Sequence, residues 1–81
     1  MKKILVFSAS YCSPCKELKR RLEILSREQP MDVTHIQADE DWQSAARYGI
    51  KSVPTMVIQD GDTTEIVRGL ISMDDLRKVL F

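Results

Sequence analysis

The first apolar stretch of the chain, Ile4-Leu5-Val6-Phe7, is continuous rather than alternating. A short unbroken run of this kind suits a strand covered on both faces, here predicted over Lys2–Ser8. The period then changes. Cys15, Leu18, Leu22 and Leu25 recur at intervals of three, four and three, which places them in one stripe on a helix. Glu17 with Arg21, and Glu23 with Arg27, stand four apart on the polar side and are predicted to pair. Pro30 disfavours helical backbone at the residue before it, so the helix is predicted to end near Glu28. A second strand follows over Asp32–Ala38. Asp39 or Asp41 can cap a short helix running to Tyr48, with Gly49 as its left-handed exit. The segment KSVPTMVIQ reads as a strand that starts around Pro54. Asp60-Gly61 is a hairpin signal, and Thr63–Arg68 returns as the partner strand. Gly69 breaks that strand. Ser72 with Asp75 resembles a capping box, and Met73, Leu76, Val79 and Leu80 line a last helix.

The predicted order is β-α-β-α-β-β-α. A strand, a helix and a strand imply a right-handed crossover and a parallel pair, and the hairpin adds antiparallel strands. The expectation is an α/β fold with a mixed four-stranded sheet and helices on both faces. With 81 residues the chain is read as one domain, 1–81, without repeats or linkers. A chain this short buries only about 60% of the surface that its unfolded form exposes, so its core must be economical.

Lys plus Arg equals Asp plus Glu, at 12 each. This balance gives no support to nucleic acid or an anionic membrane as the main partner. No stretch approaches the roughly 20 apolar residues of a membrane helix. The start, MKKILVFSAS, superficially resembles a signal peptide, but the run Ile4–Phe7 is shorter than the roughly 7–15 residues of an h-region. The expectation is a cytoplasmic protein that acts as a monomer, in a compartment where thiols stay reduced.

The candidate chemistry lies in SYCSPCKEL, residues 10–18. Three readings of Cys12 and Cys15 compete. A structural zinc site usually needs four nitrogen or sulfur ligands, and the chain offers two cysteines and the single His35. A structural staple between them would close a very small loop, which constrains the unfolded state least. A working dithiol fits the position better. Cys12 falls where strand gives way to helix, and helix N-termini carry unpaired N–H groups and partial positive charge that stabilise a thiolate. Pro14 suits a first turn. Small Ser13 is expected to leave Cys12 open. Cys15, one turn on, heads the apolar stripe. Cys12 is therefore read as the exposed nucleophile and Cys15 as the shielded resolving thiol.

The strand leading into YCSPCK, the later YGIKSVPT, the Asp-Gly hairpin and Gly69 before the last helix together resemble the thioredoxin family across nearly the whole chain. The size is nearer to glutaredoxins and other minimal members, without the extra leading strand and helix of full thioredoxins. The resemblance implies a minimal thioredoxin fold and a thiol–disulfide oxidoreductase that reduces protein disulfides through a mixed disulfide. It implies that Pro54 is the family's cis-proline, that the Val53 backbone pairs with substrate, and that Tyr11 takes the place usually held by tryptophan. Tyr11, Ser13, Pro14, Val53, Pro54 and Gly69 would form the substrate groove. No bound cofactor is implied, only an external reductant: thioredoxin reductase with NADPH, or glutathione in a glutaredoxin. Arg68-Gly69-Leu70-Ile71-Ser72 is without the paired glycine of glutaredoxins, which favours the thioredoxin side. A redox-inactive binding module and a metal or cluster carrier remain as readings of another class.

Two positions depart from the family pattern. Val6 stands six residues before Cys12, where thioredoxins carry a buried aspartate. His35 stands where they carry a lysine, and is a possible proton acceptor because histidine titrates near neutrality. Ser13-Pro14 replaces the Gly-Pro of reducing thioredoxins. Dithiol potentials on this fold run from about −270 to −120 mV, and the reducing end is expected for a cytosolic protein. Lys16, Lys19, Arg20 and Arg21 are read as a solvated basic face, Trp42 as a packing anchor, and Met56 and Met73 as core.

Overall fold

The computed structural model describes residues 2–81. Its elements are β1 (Lys3–Ser8), α1 (Ser13–Glu28), β2 (Asp32–Gln37), α2 (Trp42–Arg47), β3 (Thr55–Asp60), β4 (Thr63–Arg68) and α3 (Met73–Leu80). The strands lie in the order β2-β1-β3-β4. β1 is parallel to β2, with Val6 opposite His35. It is antiparallel to β3, with Val6 opposite Met56 and Phe7 opposite Thr55. β4 closes the sheet antiparallel to β3, with Thr55 opposite Arg68. This is the mixed sheet and element order of a minimal thioredoxin fold.

The unbroken ILVF run is explained by the central place of β1. Successive side chains of a strand point to opposite faces. Ile4 and Val6 join Met56 and Ile58 of β3 beneath Leu18, Leu22 and Leu25 of α1 and Leu76 and Leu80 of α3. Leu5 and Phe7 join Val57 on the other face, under Ala45 of α2, with Tyr48 and Ile50 packed alongside. The Phe7 and Tyr48 rings lie tilted with centroids 5.9 Å apart. Met56 is fully buried, and Met73 packs half-buried at the core margin.

The differences from the sequence reading are local. β3 begins only after Pro54, which has no N–H for a ladder. Asp41, not Asp39, caps α2 by accepting the Ser44 N–H at 3.2 Å, whereas Asp39 accepts the Ser10 hydroxyl at 3.1 Å. Gly49 takes φ +67°, the left-handed exit expected of it. Ser72 caps α3 by accepting the Asp75 N–H at 3.1 Å. Glu17 pairs with Arg21 at 2.9 Å and also with Arg20 at 2.6 Å. The expected Glu23–Arg27 pair does not form among the described residues; an exposed ion pair gains too little in water to hold two long side chains together. Arg21 is not simply solvated. Its guanidinium donates to the Ile71 carbonyl at 2.7 Å and ties α1 to the approach of α3.

Candidate functional site

The turn after β1 delivers Cys12 to the N-cap of α1, with extended backbone at φ −100° and ψ 109°. The Cys12 N–H donates to the Ala9 carbonyl at 3.2 Å, which closes the turn. The Cys15 N–H donates to Cys12 Sγ at 3.2 Å. Sulfur here does what a serine or aspartate oxygen does at other N-caps, satisfying a helix N–H that has no partner in its own helix. A thiolate at this place gains the same hydrogen bond plus the positive end of the helix dipole, and both lower a thiol's pKa. Pro14 lies in the first turn, where its missing N–H costs no helical bond. Cys12 and Cys15 are joined as a disulfide, with Cα atoms 5.2 Å apart.

The exposure of Cys12 corrects the sequence reading. Cys12 is 9% exposed and Cys15 4%. Cys12 is the more open of the two, but it is not an exposed side chain, because Ala9 and Val53 pack against the pair. Ser13 and Pro14 are exposed beside it.

The Val53–Pro54 peptide is cis. Val53 is half-buried against the sulfurs and Pro54 is buried. The Gly69 N–H donates to the Pro54 carbonyl at 2.8 Å. Gly69 takes φ +84°, and a Cβ there would meet nothing within 4 Å, so the space above its backbone is open. Such a φ strains any residue with a side chain.

Among the described residues, one cavity is lined by Cys15 itself and another by Ala9 and Val53, which pack against the dithiol. A groove of about 420 Å³ is lined by Tyr11, Trp42, Val53, Ala46, Ile50 and Lys51, among others. Tyr11 is 81% exposed. Trp42, read from sequence as a packing anchor, is 68% exposed. It is the first residue of α2, directly after the Asp41 cap, and only Ala45 of that helix is buried. The one available signal was this cap, which places Trp42 in the outermost turn of a helix too short to need it. Ser13, Pro14, Pro54 and Gly69 lie outside this groove.

The second cavity, about 300 Å³, lies behind Cys15 and is lined also by Val6, Lys16, Lys19 and His35. No carboxylate of the described residues lines it. Partial burial pushes the His35 pKa down, and the Lys19 ammonium adds to this, while Glu23 opposes it. The neutral imidazole, which can accept a proton, is thereby favoured. Among the described residues no cluster of three or more His, Cys, Asp or Glu could hold a metal ion. No described helix is long and apolar enough to cross a membrane.

The whole chain, residues 1–81, matches the family model described as Thioredoxin. It is similar to the thioredoxin of Bacillus subtilis strain 168, at 32% identity over 77 residues, 91% of this chain and 74% of that protein. Against a thioredoxin of Staphylococcus aureus strain Mu50 the identity is 34% over 77 residues, with the same two coverages, 91% and 74%. Among solved structures, a single-site mutant of a thioredoxin from Halobacterium salinarum NRC-1 superposes with a TM-score of 0.88 at 31% identity, covering 98% of this chain and 71% of that one.

Proposed function

The chain belongs to the thioredoxin family and is a protein thiol–disulfide oxidoreductase, and from that premise we propose that Cys12 and Cys15 are the working pair of a single catalytic unit, 1–81. Cys12 Sγ, as thiolate, attacks one sulfur of a client disulfide. A Cys12–client bond forms, the client S–S bond breaks, and one client sulfur leaves as thiolate. Cys15, once deprotonated, attacks Cys12 Sγ and releases the second client thiolate. Two electrons pass to the client, and the Cys12–Cys15 bridge remains. The observation that carries the assignment is the Cys12 N-cap, where Sγ accepts the Cys15 N–H at 3.2 Å.

Tyr11, Ser13, Pro14, Val53, Pro54 and Gly69 form the client surface in this reading. The backbone of Val53 takes part in no strand and in no turn hydrogen bond of the described chain, which leaves it available to an extended client segment. His35 accepts the Cys15 proton across the cavity that both residues line, in place of the carboxylate absent at Val6.

Thioredoxins need no bound cofactor and draw on an external reductant. Here we assign that role to thioredoxin reductase with NADPH, in a monomer working in the cytoplasm. Glutathione is the alternative donor, and matches to thioredoxins rather than glutaredoxins do not favour it.

Cys15→Ser is expected to accumulate mixed disulfides with client proteins, and Cys12→Ser is not. Equal trapping by both variants refutes the role assignment. Turnover with NADPH and reductase, but not with glutathione, is expected to identify the donor. An unchanged pH profile for resolution in His35→Ala would end the proton-acceptor role.

A further inference from the structure

We infer that Trp42 is a specificity-determining residue, and that the groove it shares with Tyr11 of the client surface takes an apolar side chain, aromatic or long aliphatic, from an extended client segment passing Val53 to reach Cys12. This rests on the reading that Cys12 is the attacking sulfur.

The groove and the dithiol share two neighbours. Ala9 and Val53 pack on the two sulfurs and also line the groove. A client held at Cys12 therefore has its neighbouring residues within reach of the groove. The described surface exposes few large hydrophobic side chains, and Tyr11 and Trp42 are the two most exposed of them. Burying aromatic area in contact with a partner is where most interface energy resides. Ala45, Ala46 and Ile50 add apolar lining to the groove.

Charge does not compete with this selection. The ionisable residues of the groove, besides Tyr11, are one acid and one base, Asp39 and Lys51. Asp39 is already engaged by the Ser10 hydroxyl at 3.1 Å. Within the lining the two charges balance, so apolar area is what the groove itself can discriminate. Trp42 does not hold the fold together: it stands outside all three core clusters, and α2 is anchored through Ala45 and the Asp41 cap.

The test uses the pre-reduced full chain and short peptides closed by one disulfide. The peptides differ at single positions within three residues of a cysteine, carrying Leu, Phe or Ser. The second-order rate of protein oxidation is followed by alkylation and mass spectrometry, so no reductase is needed. At one position at least, the natural chain is expected to prefer Leu or Phe over Ser by about ten-fold, the scale of one good aromatic anchor. In Trp42→Ser and in Tyr11→Ser the ratio falls toward one, and Trp42→Phe retains most of it. Trp42 is the one tryptophan of the chain. With Cys15→Ser trapped on a Leu peptide, its emission should move to shorter wavelength and resist quenching more than on the Ser peptide. Equal rates for all peptides, or a preference that survives Trp42→Ser, overturn the inference and leave the dithiol assignment standing. Failure to reduce any peptide overturns both.

Discussion

Val6→Asp would install a carboxyl group behind Cys15, and its cost follows from the surroundings of Val6. Val6 is 1% exposed. On one side it packs in the cluster of Leu18, Leu22 and Met56; on the other it lines the cavity shared by Cys15 and His35. Removing the buried valine forfeits about 1.5 kcal/mol of apolar burial. Desolvation then raises the pKa of the new carboxyl above its unfolded value of about 3.9 by roughly 2–3 units. At about 1.36 kcal/mol per unit this adds roughly 2.7–4 kcal/mol at neutral pH. Lys16 and Lys19 line the cavity and would attract the charge, but both are exposed, and screened ammonium groups recover little of that penalty. The total is about 4–5.5 kcal/mol. The whole domain, at 81 residues, is expected to be stable by only about 4–12 kcal/mol.

The pH dependence separates the two contributions. A folded-state carboxyl pKa above the unfolded one means that the native state holds its proton longer. Stability is then lost as pH rises from the unfolded pKa to the folded one, and the loss is complete above both. Urea unfolding of the oxidised natural chain and of Val6→Asp, at about pH 4 and about pH 7.5, reads this directly. The gap between the two should be about 2 kcal/mol at the acid value, where the unfolded carboxyl is already about half ionised, and about 4 kcal/mol or more at the neutral one. A gap of equal size at both values would mean that the cavity hydrates the carboxylate, and would refute the desolvation assigned to this position.

Leu18→Ala should cost about 3 kcal/mol in urea unfolding, because Leu18 is fully buried between α1 and the sheet and its loss leaves a cavity; a loss under about 1 kcal/mol would mean that the helix relaxes onto the sheet. Glu17 is held at a pKa of about 2, chiefly by its hydrogen bonds to Arg20 and then Arg21. Its folded pKa is depressed, so the stabilisation is present above the unfolded carboxyl pKa and is lost as pH falls from there toward about 2. Thermal midpoints of the natural chain should therefore drop more steeply across that acid window than those of Glu17→Gln, and parallel curves would show that the exposed pair contributes nothing.

Periodicity made the individual elements legible. The unbroken Ile4–Phe7 run announced a strand covered on both faces, the Cys15-Leu18-Leu22-Leu25 stripe announced α1, and Asp60-Gly61 announced the hairpin whose return strand spans Thr63–Arg68. These signals are local, and each residue's neighbours in sequence decide them. What escaped depends on residues distant in the chain. Arg21 finds the Ile71 carbonyl fifty residues away. Cys12 is covered by Val53, and Trp42 is left uncovered because Ala45 alone supplies the buried contact of α2. A hydrophobic residue on a short helix looks the same in sequence whether the sheet reaches it or not.

The candidate site itself is a consequence of strand direction. β1 ends at Ser8 and hands the chain to Cys12. β3 runs antiparallel to β1 with Phe7 opposite Thr55, so the start of β3, just after Val53-Pro54, lies beside the end of β1. β4 is antiparallel to β3 with Arg68 opposite Thr55, which brings the following Gly69 to the same end and into its hydrogen bond with Pro54. β2 is parallel to β1 with Gln37 opposite Ser8, so the segment from Ala38 to Trp42 also leaves the sheet there. Motifs some forty residues apart converge because two antiparallel pairings and one parallel pairing all deliver their loops to one end of the sheet. The alternation that buries Ile4 and Val6 on one face and Leu5 and Phe7 on the other fixes that register, since a slip of one residue would exchange the two sets between faces packed for different side chains. The apolar run that first marks the chain as a buried strand is therefore also what holds Cys12 against Val53.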